Sequence, residues 1–67
     1  MIWVAIWEWE EDVGICGAYA TCQNAIDDIT NNFLEPDERV KNIVQDEMNA
    51  IVYTNLAKYR IERHLIK

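Results

Sequence analysis

The sequence predicts an α+β fold: an N-terminal β-hairpin, one or two helices and a closing C-terminal strand, giving a ββααβ antiparallel sheet with its helices on one face. Three observations carry this. Ile2 to Trp9 is almost wholly β-branched or aromatic. Thr21 precedes a stretch whose apolar residues recur at helical spacing. Strict alternation then returns from Tyr59 onward.

In the first strand only Ala5 and Glu8 are weak strand formers. Glu10, Glu11 and Asp12 form a polar tip, and Val13 to Ala20 alternates medium with small residues as a return strand. A loop of two or of three residues fits equally, and the register slips by one between them. Thr21 suits an N-cap, its hydroxyl accepting from free N–H groups of the first helical turn. The helix spans 22–33, with Cys22, Ala25, Ile26, Ile29 and Phe33 on one face.

Glu35-Pro36-Asp37 marks a break. Asp37 is positioned to cap a second helix, in which Val40, Ile43, Val44, Met48 and Ile51 share a face while Asp37, Glu38, Arg39, Lys41, Asp46 and Glu47 point mostly outward. Residues 55–58 favour helix by composition. The alternation of Tyr59, Ile61, Arg63 and Leu65 with Arg60, Glu62, His64 and Ile66 favours a strand over 58–66. A third strand completes a hairpin that is marginal alone.

A chain of 67 residues holds one domain, residues 1–67, and buries only about 60% of the surface its unfolded form exposes. Such a core rarely supplies more than roughly 3–5 kcal/mol unaided, so disulfides, a metal or a partner subunit usually supplement it. Two cysteines, Cys16 and Cys22, are too few for a disulfide scaffold, and with one histidine they do not make a zinc site. They read as small apolar residues, with a Cys16–Cys22 bridge as the alternative. No metal or other cofactor is expected. Oligomerisation remains as the supplement.

The apolar start Met1 to Trp7 has no basic leader and ends at Glu8, short of a signal or membrane-spanning length. A cytoplasmic location is expected. The net charge is −6, unevenly spread: residues 1–57 hold 11 acids against Arg39 and Lys41, while residues 58–67 hold Glu62 against Lys58, Arg60, Arg63 and Lys67. That sign disfavours direct binding to nucleic acid or anionic membrane. It either keeps a small protein soluble or attracts a basic partner.

The order Trp7-Glu8-Trp9-Glu10, then Gly17-Ala18-Tyr19-Ala20-Thr21 leading into a helix, then Tyr59-Arg60-Ile61-Glu62-Arg63, resembles the small ββαβ domains of unknown function found in bacteriophage and bacterial genomes. The resemblance implies the fold and a viral origin, hence the host cytoplasm as location, and assigns no residue a role.

No catalytic set is legible. A Cys22–His64 pair would have to meet in space, and glycine-rich phosphate loops, nucleophile elbows and metal-ligand spacings are missing from the sequence. The reading is therefore a non-enzymatic interaction protein. Its acidic surface, Glu8, Glu10, Glu11, Asp12, Asp27 and Asp28, would bind and inhibit a protein partner such as a basic, nucleic-acid-binding host protein by mimicking phosphate charge. Trp3, Trp7 and Trp9 share one face of the first strand and Ile2, Val4 and Ile6 the other. Both faces being apolar, a homodimer is expected through the tryptophan face, with Tyr19 and Tyr59 adjoining. Two other readings stand beside it: a nucleotide-binding protein whose aromatic rings stack on a base at a dimer interface, and a purely structural or regulatory homodimer.

Overall fold

A computed structural model of the chain describes residues 1–65. Its α+β architecture consists of five antiparallel strands and one helix: β1 Ile2–Trp9, β2 Asp12–Tyr19, α1 Cys22–Asp28, which runs on as a π-helical turn Ile29–Phe33, then β3 Val40–Gln45, β4 Asn49–Thr54 and β5 Lys58–His64. The strands form a single sheet in the order β2-β1-β5-β4-β3. The closing strand is thus central, hydrogen-bonded to β1 on one side and β4 on the other.

The N-terminal half follows its local chemistry. Trp9 pairs with Asp12, so the hairpin loop is the two residues Glu10-Glu11. Glu10 adopts a left-handed φ of 55°, the only non-glycine residue described that does so. The register slips once, between Ala5 and Ile6, which admits the extra residue Cys16 in β2. Thr21 caps α1 as its side chain predicts, accepting from Asn24 N–H at 3.0 Å. Beyond Asp28 the helix widens to the π register, where the Thr30 hydroxyl turns back onto the Ile26 carbonyl at 3.0 Å.

The second helix expected after Asp37 is replaced by the hairpin β3–β4. Val40, Ile43, Val44 and Met48 do recur at helical spacing, but β-branched residues dominate both Val40–Gln45 and Asn49–Thr54, and they prefer the pleated backbone. The turn between them is set by Asp46, whose carboxylate accepts the N–H groups of Met48 and Asn49, each at 2.8 Å. Those two donors hold its carboxyl below the ordinary range. The strand expected over 58–66 is present as Lys58–His64, with Leu65 beyond its end and Ile66 outside the described residues.

The core lies between the helix and one face of the sheet. Ala5, Ala50, Val52, Tyr59 and Ile61 meet Cys22, Ala25, Ile26 and Ile29, with Trp3, Trp7, Cys16, Tyr19, Leu34 and Ala57 packed around them. Small residues on the central strands let the helix approach closely. The helix rests mainly on β2, β1 and β5, and β3, every residue of which is exposed, reaches it through Gln45, whose Nε2 donates to Cys22 Sγ at 3.7 Å. Both cysteines are free thiols. No helix among the described residues is long and apolar enough to cross a membrane.

An L-residue in the left-handed region costs roughly 1–2 kcal/mol, part of which glycine returns as lost chain entropy. Replacing Glu10 by Gly is therefore expected to raise unfolding stability by about 0.5–1 kcal/mol, read as a higher urea midpoint at unchanged slope. A fall in the midpoint would show that the Glu10 side chain stabilises the turn.

Candidate functional site, an aromatic cleft beside a buried carboxylate

The helix ends over the middle of the sheet, and a cleft of about 370 Å³ opens beyond it, lined by Trp7, Trp9, Phe33, Glu35, Glu38, Leu56, Ala57 and Tyr59. Each wall has a local cause. Trp7 and Tyr59 are direct partners across β1 and β5, so both rings rise on the helix side of the sheet. Gly14 faces Trp7 from β2, and a β-carbon there would overlap the indole, so glycine is what lets that ring lie across the strand. The π-helical turn advances less rotation per residue than an α-helix. Phe33, expected on the buried helix face, is instead 37% exposed and forms the cleft's far wall.

The floor is Glu38, only 5% exposed and the one buried acid among the described residues. It is the second glutamate of the Glu35-Pro36-Asp37-Glu38 turn, in which its backbone N–H donates to the Glu35 carbonyl at 2.9 Å. Its carboxylate accepts from the Tyr59 hydroxyl at 3.1 and 3.2 Å, from the Glu35 N–H at 3.1 Å and from the Thr54 hydroxyl. The next residues are clamped to the β4–β5 turn: Asn55 Oδ1 accepts from Arg39 N–H at 2.6 Å and Asn55 Nδ2 donates to the Asp37 carbonyl at 3.2 Å.

Hydrogen bonds thus satisfy Glu38, but no cation neutralises it. Among the described residues neither Glu35 nor Glu38 has a Lys, Arg or His nitrogen within 4.0 Å. The nearest guanidinium, that of Arg39, turns to the carbonyls of Pro36 and Glu38 at 3.3 and 3.5 Å. The charge also acts on Tyr59, whose hydroxyl is pushed up to about 12, by burial first and by Glu38 second. Tyr19, likewise desolvated and donating to Asp28, rises to about 12, and burial together with the Asp28 charge lifts the Cys16 thiol to about 11.

The expected site residues are distributed over three places. Trp7, Trp9 and Tyr59 meet in the cleft, whereas Trp3 and Tyr19 pack at the other end of the sheet. Glu10, Glu11 and Asp12 stand exposed at the hairpin tip, and Glu8 points to the face opposite the tryptophans. Asp27 and Asp28 lie in a shallow depression with Tyr19, Asn24, Asn31 and Asn32, where Asp27 Oδ1 takes Gln23 Nε2 at 2.8 Å and both oxygens of Asp28 are in use, taking Tyr19 and Asn32. Cys22 is buried under the helix and His64 sits on the opposite face beside Glu62.

Phe33 escapes a sequence reading because the π-helical turn rotates it off the buried face, and Glu35, Glu38, Leu56 and Ala57 escape it for another reason. Taking 37–51 as a helix turns Glu38 to solvent and leaves the β4–β5 turn unplaced. The legible signal is Thr54-Asn55 after the run Ala50-Ile51-Val52-Tyr53, a strand followed by two turn-forming residues. Scans of the chain against protein-family models, curated proteins and solved structures found no match.

These titrations set an alkaline limit. A phenol or thiol with a raised folded-state pKa binds more protons folded than unfolded, so it stabilises below its unfolded pKa and ceases to do so above its folded one. Stability is expected to be flat through neutrality, to start falling near pH 9 as the Cys16 thiol of the unfolded chain ionises, and to keep falling until about pH 12. Urea midpoints across that range check it. Tyr59→Phe should be less stable at neutral pH and show a shallower alkaline decline.

Proposed function

We propose that this protein is a non-enzymatic binding module whose cleft receives a cationic side chain, an arginine foremost, from a basic protein partner. The observation that supports it most is the pairing of four aromatic rings with a buried carboxylate that has no counter-cation. Aromatic faces attract guanidinium and ammonium groups by about 0.5–2 kcal/mol each, more when water is excluded. A planar guanidinium also stacks on Trp, which a point-charge ammonium does less well. Glu38 contributes field from below, its oxygens being already hydrogen-bonded. Glu35 at the rim is exposed and positioned to meet the incoming charge directly.

The rest of the molecule suits such a partner. Glu10, Glu11 and Asp12 lie at the tip of the strand that carries Trp9, so the approach to the cleft is negative. The same carboxylates oppose a nucleotide, whose phosphates would meet Glu35 and Glu38, and this weighs against the stacking alternative. A partner that uses its arginine to hold nucleic acid phosphate would be inhibited by losing it to this cleft. A phage or bacterial origin is compatible with that role and rests on the sequence resemblance alone.

Binding of an arginine-containing basic ligand to this acidic surface is testable directly. Titration with a short Arg-rich peptide, followed by Trp fluorescence, should show saturable binding weakened by salt, and a lysine peptide of equal length should bind less tightly. Trp9→Ala and Glu35→Gln alter exposed positions and should each weaken binding about tenfold, the equivalent of roughly 1.4 kcal/mol, with the fold intact by circular dichroism. Equal affinity of parent and both variants at low salt would refute the cleft as the binding site.

A further inference from the structure

The face opposite the helix has no element over it. Strand register places its side chains in rows that cross the sheet. One row is Val13, Glu8, Lys58, Tyr53 and Asn42; the next is Ile15, Ile6, Arg60, Ile51 and Val44; the third is Ala18, Val4, Glu62 and Asn49. Apolar columns therefore flank a charged column along β5. Ile15 is 73% exposed, Val13 62% and Val44 50%.

Charge separates this face from the rest of the surface. Two acids, Glu8 and Glu62, stand against two bases, Lys58 and Arg60, so the face is neutral while the chain carries −6. A basic partner or a nucleic acid finds no net attraction there. A second copy finds there a broad surface on which two such acidic chains meet without net repulsion. The charged column is also loosely paired. Lys58 reaches Glu8 at 3.2 Å, but Arg60 to Glu8, Arg60 to Glu62 and His64 to Glu62 stand at 4.0, 3.8 and 3.8 Å, too long for hydrogen bonds. Arg60 Nε is shielded from solvent and has no acceptor.

We infer that this open face is a homodimer interface in which two sheets pack face to face. A two-fold axis lying between the sheets and crossing β5 near Ile61 sets Arg60 of each copy over Glu62 of the other. The same operation places Ile6 over Val4 and Ile15 over Ala18, large residues against small. Sheets pack in this aligned manner with their strands about 30° apart. Five strands about 4.8 Å apart and about six residues long at 3.3 Å give a footprint of roughly 500 Å² per copy. The total reaches the roughly 1,000 Å² that a specific interface needs. The dimer leaves both aromatic clefts open on its outer surfaces and does not depend on what they bind.

Sedimentation velocity across a concentration series tests it. The parent should be dimeric at tens of micromolar, on the order of ordinary assay concentrations. Ile15→Lys alters a side chain exposed in the single chain, so it should preserve the circular dichroism spectrum and raise the dimer dissociation constant at least tenfold. Arg60→Glu and Glu62→Arg should each weaken the dimer, and the two together should restore it, an outcome that general destabilisation does not produce. Trp9→Glu should leave it intact. A parent that stays near 7.9 kDa, or a dimer indifferent to Ile15→Lys but dissolved by Trp9→Glu, overturns the proposal.

Discussion

One short helix has to serve a five-stranded sheet, and most features of the molecule follow from that mismatch. The helix covers β2, β1 and β5 on one side only. Its coverage ends over the middle of the sheet, where Phe33 closes the core and opens the cleft, and the whole opposite face is left without a layer. An ordinary two-layer domain buries one face and hydrates the other with polar side chains. Here apolar residues of the second face, Val13, Ile15, Val4, Ile6, Ile51 and Val44, flank the charged column along β5, so hydration is a poor solution for it.

Against that background, Glu38 is the one charged side chain buried among the described residues. A carboxylate that is 5% exposed gives up most of its hydration. Tyr59, Thr54 and the Glu35 N–H replace it with hydrogen bonds, while no cation among the described residues replaces the lost ionic solvation. The same network joins β4, β5 and the loop ahead of β3, fixing how the second hairpin sits against the first. Stability and the proposed recognition therefore share a residue. The group that organises the loop is also the source of the field in the cleft.

The N-terminal half was legible because its signals are local: a β-branched strand, a threonine cap, a helical apolar stripe. The closing strand was legible in part: the alternation around Tyr59 and Ile61 favours it, while the helix formers at 55–58 also allow the preceding element to run on. The region 37–54 was not, because Val40, Ile43, Val44, Met48 and Ile51 satisfy a period of 3.6 by coincidence, while the β-branching of all but Met48 favours strand backbone. Of the candidate site, Trp7, Trp9 and Tyr59 were among the aromatics that the sequence singles out. That they gather around a glutamate depends on the misread segment, and their separation from Trp3 depends on where the helix ends, which composition does not specify. The self-neutral face was hidden for another reason. Lys58, Arg60 and Glu62 alternate in sequence with buried Tyr59 and Ile61, and their pairing with Glu8 depends on register between the first and last strands.

The central claim is that the aromatic cleft, and neither the hairpin tip nor the open face, is where a basic partner is received. Amide and indole N–H chemical shifts recorded during titration with an Arg-rich peptide test it most directly, because each Trp reports from a different position. The account predicts that the Trp7 and Trp9 indoles and the backbone from Phe33 to Glu38 and from Leu56 to Tyr59 shift together, with Trp3 nearly still. Shifts confined to Glu10, Glu11 and Asp12, or centred on Ile6, Ile15 and Arg60, would contradict it.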